Sequence, residues 1–278
     1  MSINVLSLFD GMSCGRLALE RAGIPINKYY ASELDKYAIQ IAQKNYPDTI
    51  QLGDVRNVKG RELPRIDLLI GGSPCQGFSF AGKQLNFKDP RSALFFEFVR
   101  LLKDTKPAYF LLENVVMKKE YQNIISDYLG VEPVMINSAL VSAQNRKRLY
   151  WANFAITQPE DRGIVLRDVL EPKGSGKTLS ERSRSAARTI KNIRYGDQKS
   201  KCLLAAMYKG AGANGLTIIA EGDRVRCITP IECERLQTLP DNYTAGVSDS
   251  QRYRMIGNGW TGDAIAHIFK CMLKDDLC

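Results

Sequence analysis

The sequence has a single histidine, His267, among 278 residues. A Cys–His nucleophile pair or a multi-histidine metal site would depend on that one residue, and an ordinary position on the last helix is the simpler interpretation. The seven cysteines are an odd number and include no C-x-x-C pair. This pattern argues against a disulfide framework and against a structural zinc site, so we expect reduced thiols and no metal.

Long apolar runs are also missing. No stretch approaches the roughly 18 apolar residues of a membrane span. The opening segment, MSINVLSLFDGMSCG, has no basic region and reaches Asp10 too early for a secretory signal. We therefore expect no membrane partner and a soluble, cytoplasmic protein.

Acidic residues are outnumbered by basic ones, with 30 Asp and Glu against 39 Lys and Arg and a net charge of +9. Such an excess favours a polyanionic partner. The stretch RSRSAARTIKNIRYGDQKSKCLLAAMYK, which ends at Lys209, has almost no acidic residues. It is typical of a surface that contacts phosphates, with Arg182, Arg184 and Lys209 as candidate contacts, although a merely solvated basic face remains the alternative.

The first half of the chain alternates short apolar runs with amphipathic stretches. INVLSLF, KYYASEL, IDLLIGG and AYFLLENV are separated by helical patterns such as DKYAIQIAQKNY. Continuous apolar strands between helices predict an α/β fold with a mostly parallel sheet covered on both faces. In such sheets, ligands bind beyond the carboxyl ends of the strands.

The pattern changes at about Lys173, where the sequence becomes basic and rich in serine and glycine. We predict a main domain over 1–172, a small inserted recognition region over 173–226, and a segment over 227–278 that returns to the main domain. In the last segment, Thr229 is expected to cap a helix that starts at Pro230, with Glu232 completing a capping box.

Several candidate ligand-binding residues follow the predicted strands. LSLFDGMSCG places glycines and small residues at the first strand-to-helix turn, where a backbone can approach a ligand. Glu33 ends the second strand, as a residue accepting hydrogen bonds from ribose hydroxyls would. Asp54 ends the third, where it could accept from an adenine amino group. Either carboxylate, taken alone, is equally consistent with a surface residue or a helix cap.

GGSPCQGFSFAG is more specific, because it presents one thiol, Cys75, on a tight loop after an apolar strand. A packing cysteine normally sits inside an apolar run. Glu113 emerges from the next strand and is a candidate proton donor. In QNRKRLYW, we expect Gln144, Arg146 and Arg148 to project from one face of an extended strand with a period of two.

These residues, in this order, resemble the cytosine carbon-5 DNA methyltransferase family over nearly the whole chain. LSLFDGMSCG is similar to the family's cofactor motif, SPCQGFS to its catalytic loop, ENV to its acid motif, QNRKR to its base-contacting motif, and RCITPIECERLQTLPDNY with MIGNG to its last two. The FDG form of the first motif resembles animal de novo methyltransferases and some phage enzymes. The resemblance implies a Rossmann-like S-adenosylmethionine-dependent fold with a small inserted target-recognition region.

For the cofactor, the resemblance implies that Phe9 stacks on the adenine, Glu33 binds the ribose, Asp54 and Val55 hold the adenine edge, and Asn258 completes the methionine end. The full predicted cofactor set is Phe9, Asp10, Gly11, Gly15, Glu33, Leu34, Asp54, Val55, Pro74, Leu94 and Asn258.

For catalysis, the resemblance implies that Cys75 attacks carbon 6 of a cytosine flipped out of duplex DNA while Glu113 protonates ring nitrogen 3. Arg148 would stabilise charge near the exocyclic oxygen, and Arg146 would help to hold the base and the catalytic loop. Gln76 and Ser79 are candidates to fill the space left by the base, and Gln144 is a further candidate DNA contact.

The recognition region is short for this family. We expect few base contacts, a short target site, or help from a second subunit as a homodimer. The host would be a bacterial or phage-infected cell. Three alternatives stay open: a tRNA cytosine methyltransferase, an inactive regulatory homologue, and a small-molecule methyltransferase.

Overall fold

The computed structural model describes residues 2–73, 94–172, 175–189, 191–209 and 217–275. Pro74, Cys75, Gln76 and Ser79 lie outside the described residues. The chain divides into two compact units. The first comprises Met1–Ile136, Lys147–Gln158 and Ile265–Cys278, and the second comprises Asn137–Arg146 and Pro159–Ala264.

The first unit is built on a seven-stranded sheet in the order β3-β2-β1-β4-β5-β7-β6. Its strands are β1 Ile3–Leu8, β2 Ile26–Ser32, β3 Ile50–Gln51, β4 Leu68–Gly72, β5 Tyr109–Val115, β6 Val134–Asn137 and β7 Lys147–Ala152. Strand β1 pairs with β2 and β4, β2 pairs with β3, and β4 pairs with β5, and all of these pairs are parallel. Strand β7 runs antiparallel to β5. The predicted α/β fold with a mostly parallel sheet is therefore confirmed.

Four helices accompany the strands of this unit, and the fourth of them was not predicted from the sequence. They are α1 Cys14–Ala22, α2 Lys36–Asn45, α3 Leu94–Thr105 and α4 Lys119–Leu129. The central strands are buried along most of their length, and Phe95 and Phe98 of α3 are fully buried in the same core. Burial of strands on both faces explains why they read as continuous apolar runs rather than as alternating ones.

The second unit contains α5 Glu181–Thr189, β8 Ile193–Arg194, β9 Ile218–Glu221, β10 Arg224–Cys227, α6 Pro230–Leu236 and α7 Asp249–Asn258. The last helix, α8 Gly262–Asp275, begins in the second unit and ends in the first. Its three strands form a small sheet in the order β10-β9-β8. This unit includes residues 159–172 and 227–264 in addition to the predicted recognition region, so its boundaries differ from those expected. The functional division at 173–226 stays a prediction.

A buried charge cluster connects the small sheet to α6. The side chain of Arg226 is fully buried and lies 2.7 Å from Glu232 and 2.6 Å from Glu221. Desolvation lowers the pKa of the Arg226 guanidinium, but hydrogen bonds to the two carboxylates outweigh it and raise the pKa above its ordinary value. Glu232 also accepts from the Thr229 backbone N–H, which completes the predicted capping box.

No helix in the described ranges is both long and apolar enough to cross a membrane.

We expect Arg226→Met to lower the free energy of unfolding by about 3–5 kcal/mol, because it leaves two carboxylates without their buried partner. Urea denaturation followed by circular dichroism measures this loss. Lys119→Met is the control, since Lys119 pairs with Glu132 on the surface, where both side chains are mostly exposed. That change should cost less than about 1 kcal/mol. Equal losses in the two variants would contradict a stabilising role for the buried cluster.

Candidate active site

The parallel strands of the first unit end at one edge of the sheet. Leu8 at the end of β1 is in register with Ser32 of β2 and with Gly71 of β4. Gly72 is in register with Glu113 of β5. The residues that follow these positions therefore lie along the same edge, which is where open α/β sheets bind ligands.

The turn between β1 and α1 has an unusual backbone. Phe9, Gly11 and Ser13 all have positive φ angles, of 57°, 59° and 61°. Such angles are costly for residues other than glycine and persist only where neighbouring groups enforce them. The Asp10 N–H donates to Ser32 O at 3.2 Å, and the Ser13 N–H donates to Asp10 O at 3.1 Å. The turn is thus held in one conformation at the edge of the sheet.

Asp10 supports this turn from within. One of its oxygens accepts from Ser7 Oγ at 2.6 Å and Tyr29 OH at 2.7 Å, and the other accepts from Ser13 Oγ at 2.5 Å. Desolvation raises the pKa of the Asp10 carboxyl above its ordinary value, against the lowering effect of these hydrogen bonds. These three bonds fix the Asp10 carboxyl group between the turn and β2, and the predicted contact between Asp10 and the cofactor stays a prediction.

Glu33 is fixed at the end of β2 by backbone donors. Its carboxylate accepts from Gly11 N at 2.8 Å, Leu34 N at 2.7 Å and Asp35 N at 2.9 Å. A carboxylate offers about four acceptor positions, so this arrangement orients the group and still permits a hydrogen bond to a ligand hydroxyl. The side chain of Leu34, next to it, is 66% exposed although it is apolar.

Asp54 and Val55 follow β3. Asp54 accepts from the backbone N–H of Arg56 at 3.0 Å and forms an ion pair with the Arg56 guanidinium. Hydrogen bonding to Arg56 lowers the pKa of the Asp54 carboxyl. Val55 is 4% exposed, and its carbonyl oxygen accepts from Arg100 at 3.0 Å. Gly15 is buried in the first turn of α1, and Leu94 is half-buried at the start of α3.

The donor set at this edge fits an adenosine-containing cofactor. Ribose hydroxyls require an acceptor held in place, which Glu33 supplies, and an adenine ring requires an apolar surface, which the exposed Leu34 side chain supplies. The positive-φ turn at Gly11 brings backbone close to the same carboxylate. These features agree with the cofactor predicted from the resemblance.

Glu113 and Arg148 form an ion pair at the same edge. Arg148 Nε lies 2.9 Å from Glu113 Oε1, and the two side chains are only 14% and 11% exposed. The antiparallel pairing of β5 with β7 places Arg148 opposite Val115, two residues beyond Glu113. Arg148 also donates to Lys147 O at 2.9 Å. The carboxyl group and the guanidinium that the sequence predicted to act together are therefore in direct contact.

Asn114 ties β5 to the residue after β4. Its side-chain amide donates to Ser73 Oγ at 3.1 Å and to Ser73 O at 3.3 Å, and it is 1% exposed. Ser73 immediately precedes the segment that carries Cys75. The sequence analysis included Asn114 only as part of the ENV motif and missed Ser73, whose signal is a polar residue directly after a buried strand.

Gln144, Arg146 and Arg148 do not share one strand face, because β7 begins only at Lys147. The fully buried Gln144 amide donates to Leu236 O at 3.0 Å and to Gln237 Oε1 at 3.1 Å. Gln144 is therefore turned into its own unit, and its predicted DNA contact is not supported by the structure.

Arg146 is 3% exposed and bridges three backbone carbonyls of the second unit. Its guanidinium donates to Leu203 O at 3.0 Å, Gly257 O at 3.1 Å and Gly259 O at 2.8 Å. The expectation that Arg146 lies on a strand is wrong, because β7 begins at Lys147, whereas its role in holding the base and the catalytic loop stays a prediction. The contacts are those of a residue that positions the Gly257–Gly259 segment.

More of the predicted residues lie in the second unit or on α8. Arg182 is exposed on α5, Arg184 donates to Leu179 O at 3.2 Å, and Lys209 is exposed at the end of a short 3₁₀ turn. Asn258 is exposed as the last residue of α7. His267 lies on α8, and its Nε2 atom is 2.9 Å from Thr157 O. Within the described ranges, no three His, Cys, Asp or Glu side chains are grouped as metal ligands would be.

Known proteins with similar sequences support the same interpretation. The chain is 31% identical to the type II methyltransferase M1.ScrFI of Lactococcus lactis subsp. cremoris, over 97% of this chain and 78% of the relative. It is 32% identical to the type II methyltransferase M.NlaX of Neisseria lactamica, over 91% of each protein.

Solved structures support the fold. An Entamoeba histolytica methyltransferase, EhMeth, superposes with a TM-score of 0.82 at 19% identity, over 100% of this chain and 99% of that one. A Spodoptera frugiperda DNMT2 variant gives 0.78 at 20% identity, over 98% and 100%.

The family model for C-5 cytosine-specific DNA methylases matches residues 3–162 and 117–274. Both matched segments together span almost the whole chain and include the sheet edge with Glu33, Glu113 and Arg148. The protein is an S-adenosylmethionine-dependent methyltransferase that acts on cytosine in DNA, and the chain belongs to the C-5 cytosine-specific DNA methylase family.

Proposed function

We propose that Cys75 forms a covalent bond to carbon 6 of a cytosine flipped out of duplex DNA, and that Glu113 and Arg148 hold and activate that base. The observation that carries this proposal is the Glu113–Arg148 ion pair at the carboxyl edge of the sheet. Glu113 is in register with Gly72, three residues before Cys75 in sequence. This register supports a catalytic role for a loop that leaves the sheet beside the acid.

Carbon 5 of cytosine is not nucleophilic enough to be methylated directly, so the ring must first be activated. As the Cys75 thiolate bonds to carbon 6, Glu113 donates a proton to ring nitrogen 3, and carbon 5 becomes the nucleophilic end of an enamine. When bound, S-adenosylmethionine supplies an electrophilic methyl group on a sulfonium. After methylation, a water molecule removes the proton from carbon 5, the C6–S bond breaks, and nitrogen 3 returns its proton to Glu113.

Arg148 has two tasks in this mechanism. It orients the Glu113 carboxyl group through the 2.9 Å contact, and it stabilises negative charge that develops near the exocyclic oxygen of the base. A guanidinium suits both tasks because its donors form a planar fork. Arg146 helps to hold the base and the catalytic loop, as the resemblance implies, and its bonds to the carbonyls of Leu203, Gly257 and Gly259 keep its guanidinium in place.

The cofactor residues are assigned individually. Glu33 accepts from the ribose hydroxyls, and Phe9 and Leu34 flank the adenine. Asp54 and the Val55 backbone meet the adenine edge. The Gly11 and Gly15 backbone allows close approach, while Pro74, Leu94 and Asn258 complete the site as the resemblance implies. At Asp54, the adenine amino group must compete with the existing Arg56 contact.

The partner is duplex DNA, contacted by the region 173–226 through Arg182, Arg184 and Lys209 and by Gln76 and Ser79 at the vacated base position. Flipping a base costs a few kcal/mol, which phosphate contacts must offset. We place the protein in the cytoplasm of a bacterial or phage-infected cell. A homodimer is proposed only from the short recognition region, and sedimentation of the DNA-bound protein measures it.

The purified protein is expected to transfer labelled methyl groups to duplex DNA and not to tRNA. The loop SPCQGFS favours DNA, because the related RNA enzymes typically have a PCQPFT-like loop that ends in threonine. Tritiated S-adenosylmethionine, with duplex DNA and tRNA as separate acceptors, measures this difference, and bisulfite sequencing of the DNA locates the target. Exclusive labelling of tRNA would remove the DNA substrate, and labelling of neither would favour a small-molecule acceptor.

Cys75→Ser is expected to abolish methyl transfer while leaving the affinity for S-adenosylhomocysteine largely unchanged. The hydroxyl of serine is a poor nucleophile at neutral pH, whereas the cofactor residues at the sheet edge are untouched. Calorimetric titration measures the affinity, and labelled transfer measures the activity. Cys271→Ser is the matched control, because Cys271 lies on α8 in contact with Thr157. Retained transfer by the Cys75 variant would exclude covalent catalysis.

Glu113→Gln is expected to slow single-turnover methylation by about 10²–10⁴-fold, the usual contribution of a general acid. The amide keeps the shape of the side chain but cannot donate a carboxylic proton and loses its charge contact with Arg148. Rapid-quench measurement at saturating DNA isolates this step from binding. Glu120→Gln, at an exposed position on α4, is the control. An unchanged rate in the Glu113 variant would remove it from the acid role.

A further inference from the structure

A side chain of α3, Arg100, joins that helix to the short 3₁₀ turn Val55–Asn57 in the first unit. One nitrogen of its guanidinium donates to Val55 O at 3.0 Å, and another donates to Val58 O at 2.8 Å. The two bonds therefore hold the turn at its first residue and at the residue that follows its last. We name this feature the Arg100 clamp.

The backbone of the turn needs such a clamp. The Val58 N–H donates to Val55 O at 3.2 Å, and the strand that leads into the turn, β3, has only two residues. The side chains of Val55 and Val58 are buried in the core, but apolar packing is not directional. A 3₁₀ turn also has poorer hydrogen-bond geometry than an α-helix. The planar fork of Arg100 therefore adds the directional contacts that orient this backbone.

The guanidinium of Arg100 is itself held in place on α3. Its Nε donates to Glu97 Oε2 at 2.8 Å, and a second nitrogen lies 3.5 Å from Asp104 Oδ2. These acids are three residues before Arg100 and four residues after it, the spacings at which side chains meet on one helix face. The position of the turn is thus referred to a helix of twelve residues rather than to a mobile side chain.

The turn carries the groups that the proposed function assigns to the adenine edge. Asp54 caps the turn, and the Val55 N–H is the first N–H of the turn, so it has no acceptor within it. Adenine presents an amino donor beside a ring-nitrogen acceptor, and a carboxylate beside an N–H is the complementary pair. Such a pair must be placed to within about 0.5 Å to work together. A rotation of the turn would therefore misalign both contacts at once.

We propose that Arg100 is a positioning residue for adenine recognition: it holds the turn so that Asp54 and the Val55 N–H meet the adenine edge of S-adenosylmethionine together. Arg100 does not itself touch the cofactor. This inference rests on the proposed function, since it requires the adenine edge to lie at Asp54 and Val55. It makes Arg100 a determinant of the preference for adenine over other purines.

Calorimetric titration with S-adenosylhomocysteine and with S-inosylhomocysteine tests the proposal. In the second ligand a carbonyl oxygen replaces the adenine amino group and ring nitrogen 1 carries a proton, while the ribose and homocysteine parts are unchanged. The unmodified protein should bind the adenosyl ligand about tenfold more tightly. Arg100→Leu should weaken the adenosyl ligand about tenfold and the inosyl ligand less than about twofold, because only the first depends on the alignment of the turn.

Arg61→Leu is the matched control, because Arg61 contacts the same helix through Asp104 at 3.3 Å and its side chain is 86% exposed. Both affinities of this variant should remain within about twofold of those of the unmodified protein. Arg100→Lys keeps the positive charge without the planar fork, so its preference for the adenosyl ligand should be intermediate. It also provides the test if the leucine variant does not fold.

Equal losses for the two ligands in Arg100→Leu would give Arg100 a general structural role and overturn the proposal. An unchanged preference for the adenosyl ligand in the Arg100 variants would overturn it as well. In both cases the preference of the unmodified protein leaves the proposed adenine edge intact. If the unmodified protein itself binds the two ligands equally, the assignment of Asp54 and Val55 fails and the inference fails with it.

Discussion

The active site depends on the parallel register of β1, β2, β4 and β5. Each strand ends at a defined partner, Leu8 beside Ser32 and Gly71, and Gly72 beside Glu113. A shift of one residue in any pair would turn the following side chains to the opposite face of the sheet. The buried bond from Asn114 to Ser73 reinforces this register at the ends of β4 and β5. The chemistry is therefore localised by backbone pairing before any side chain acts.

Much of the first unit could be predicted from sequence because its strands are buried on both faces. Such strands give uninterrupted apolar runs, and the residues after them can be assigned to one sheet edge without coordinates. The same holds for the capping box of α6, where Thr229 and Glu232 are only three residues apart and bond as expected. Local geometry and two-sided burial leave few alternatives, so these predictions were confirmed.

The sequence could not predict where Gln144 and Arg146 point. A period of two was taken as a strand face, but the strand starts at Lys147 and the partners of both side chains are distant in sequence, at Leu236 and Gly259 among others. Long polar side chains can satisfy buried carbonyls as readily as they can face a ligand. Asp10 shows the same limit at short range, since an acid in a ligand-binding turn can equally well bond within the turn.

The arginine–glutamate contacts of Arg226 and of Arg148 differ in solvent exposure. Arg226 is fully enclosed and shared between two carboxylates, so any change of partner would leave a buried charge uncompensated. Arg148 and Glu113 retain 14% and 11% exposure at the mouth of the sheet. A base that replaces water there gains contacts to groups whose orientation has already been fixed by β5 and β7. In the proposed mechanism, partial exposure is what gives a substrate access to the Glu113–Arg148 pair, and full enclosure denies that access to Arg226.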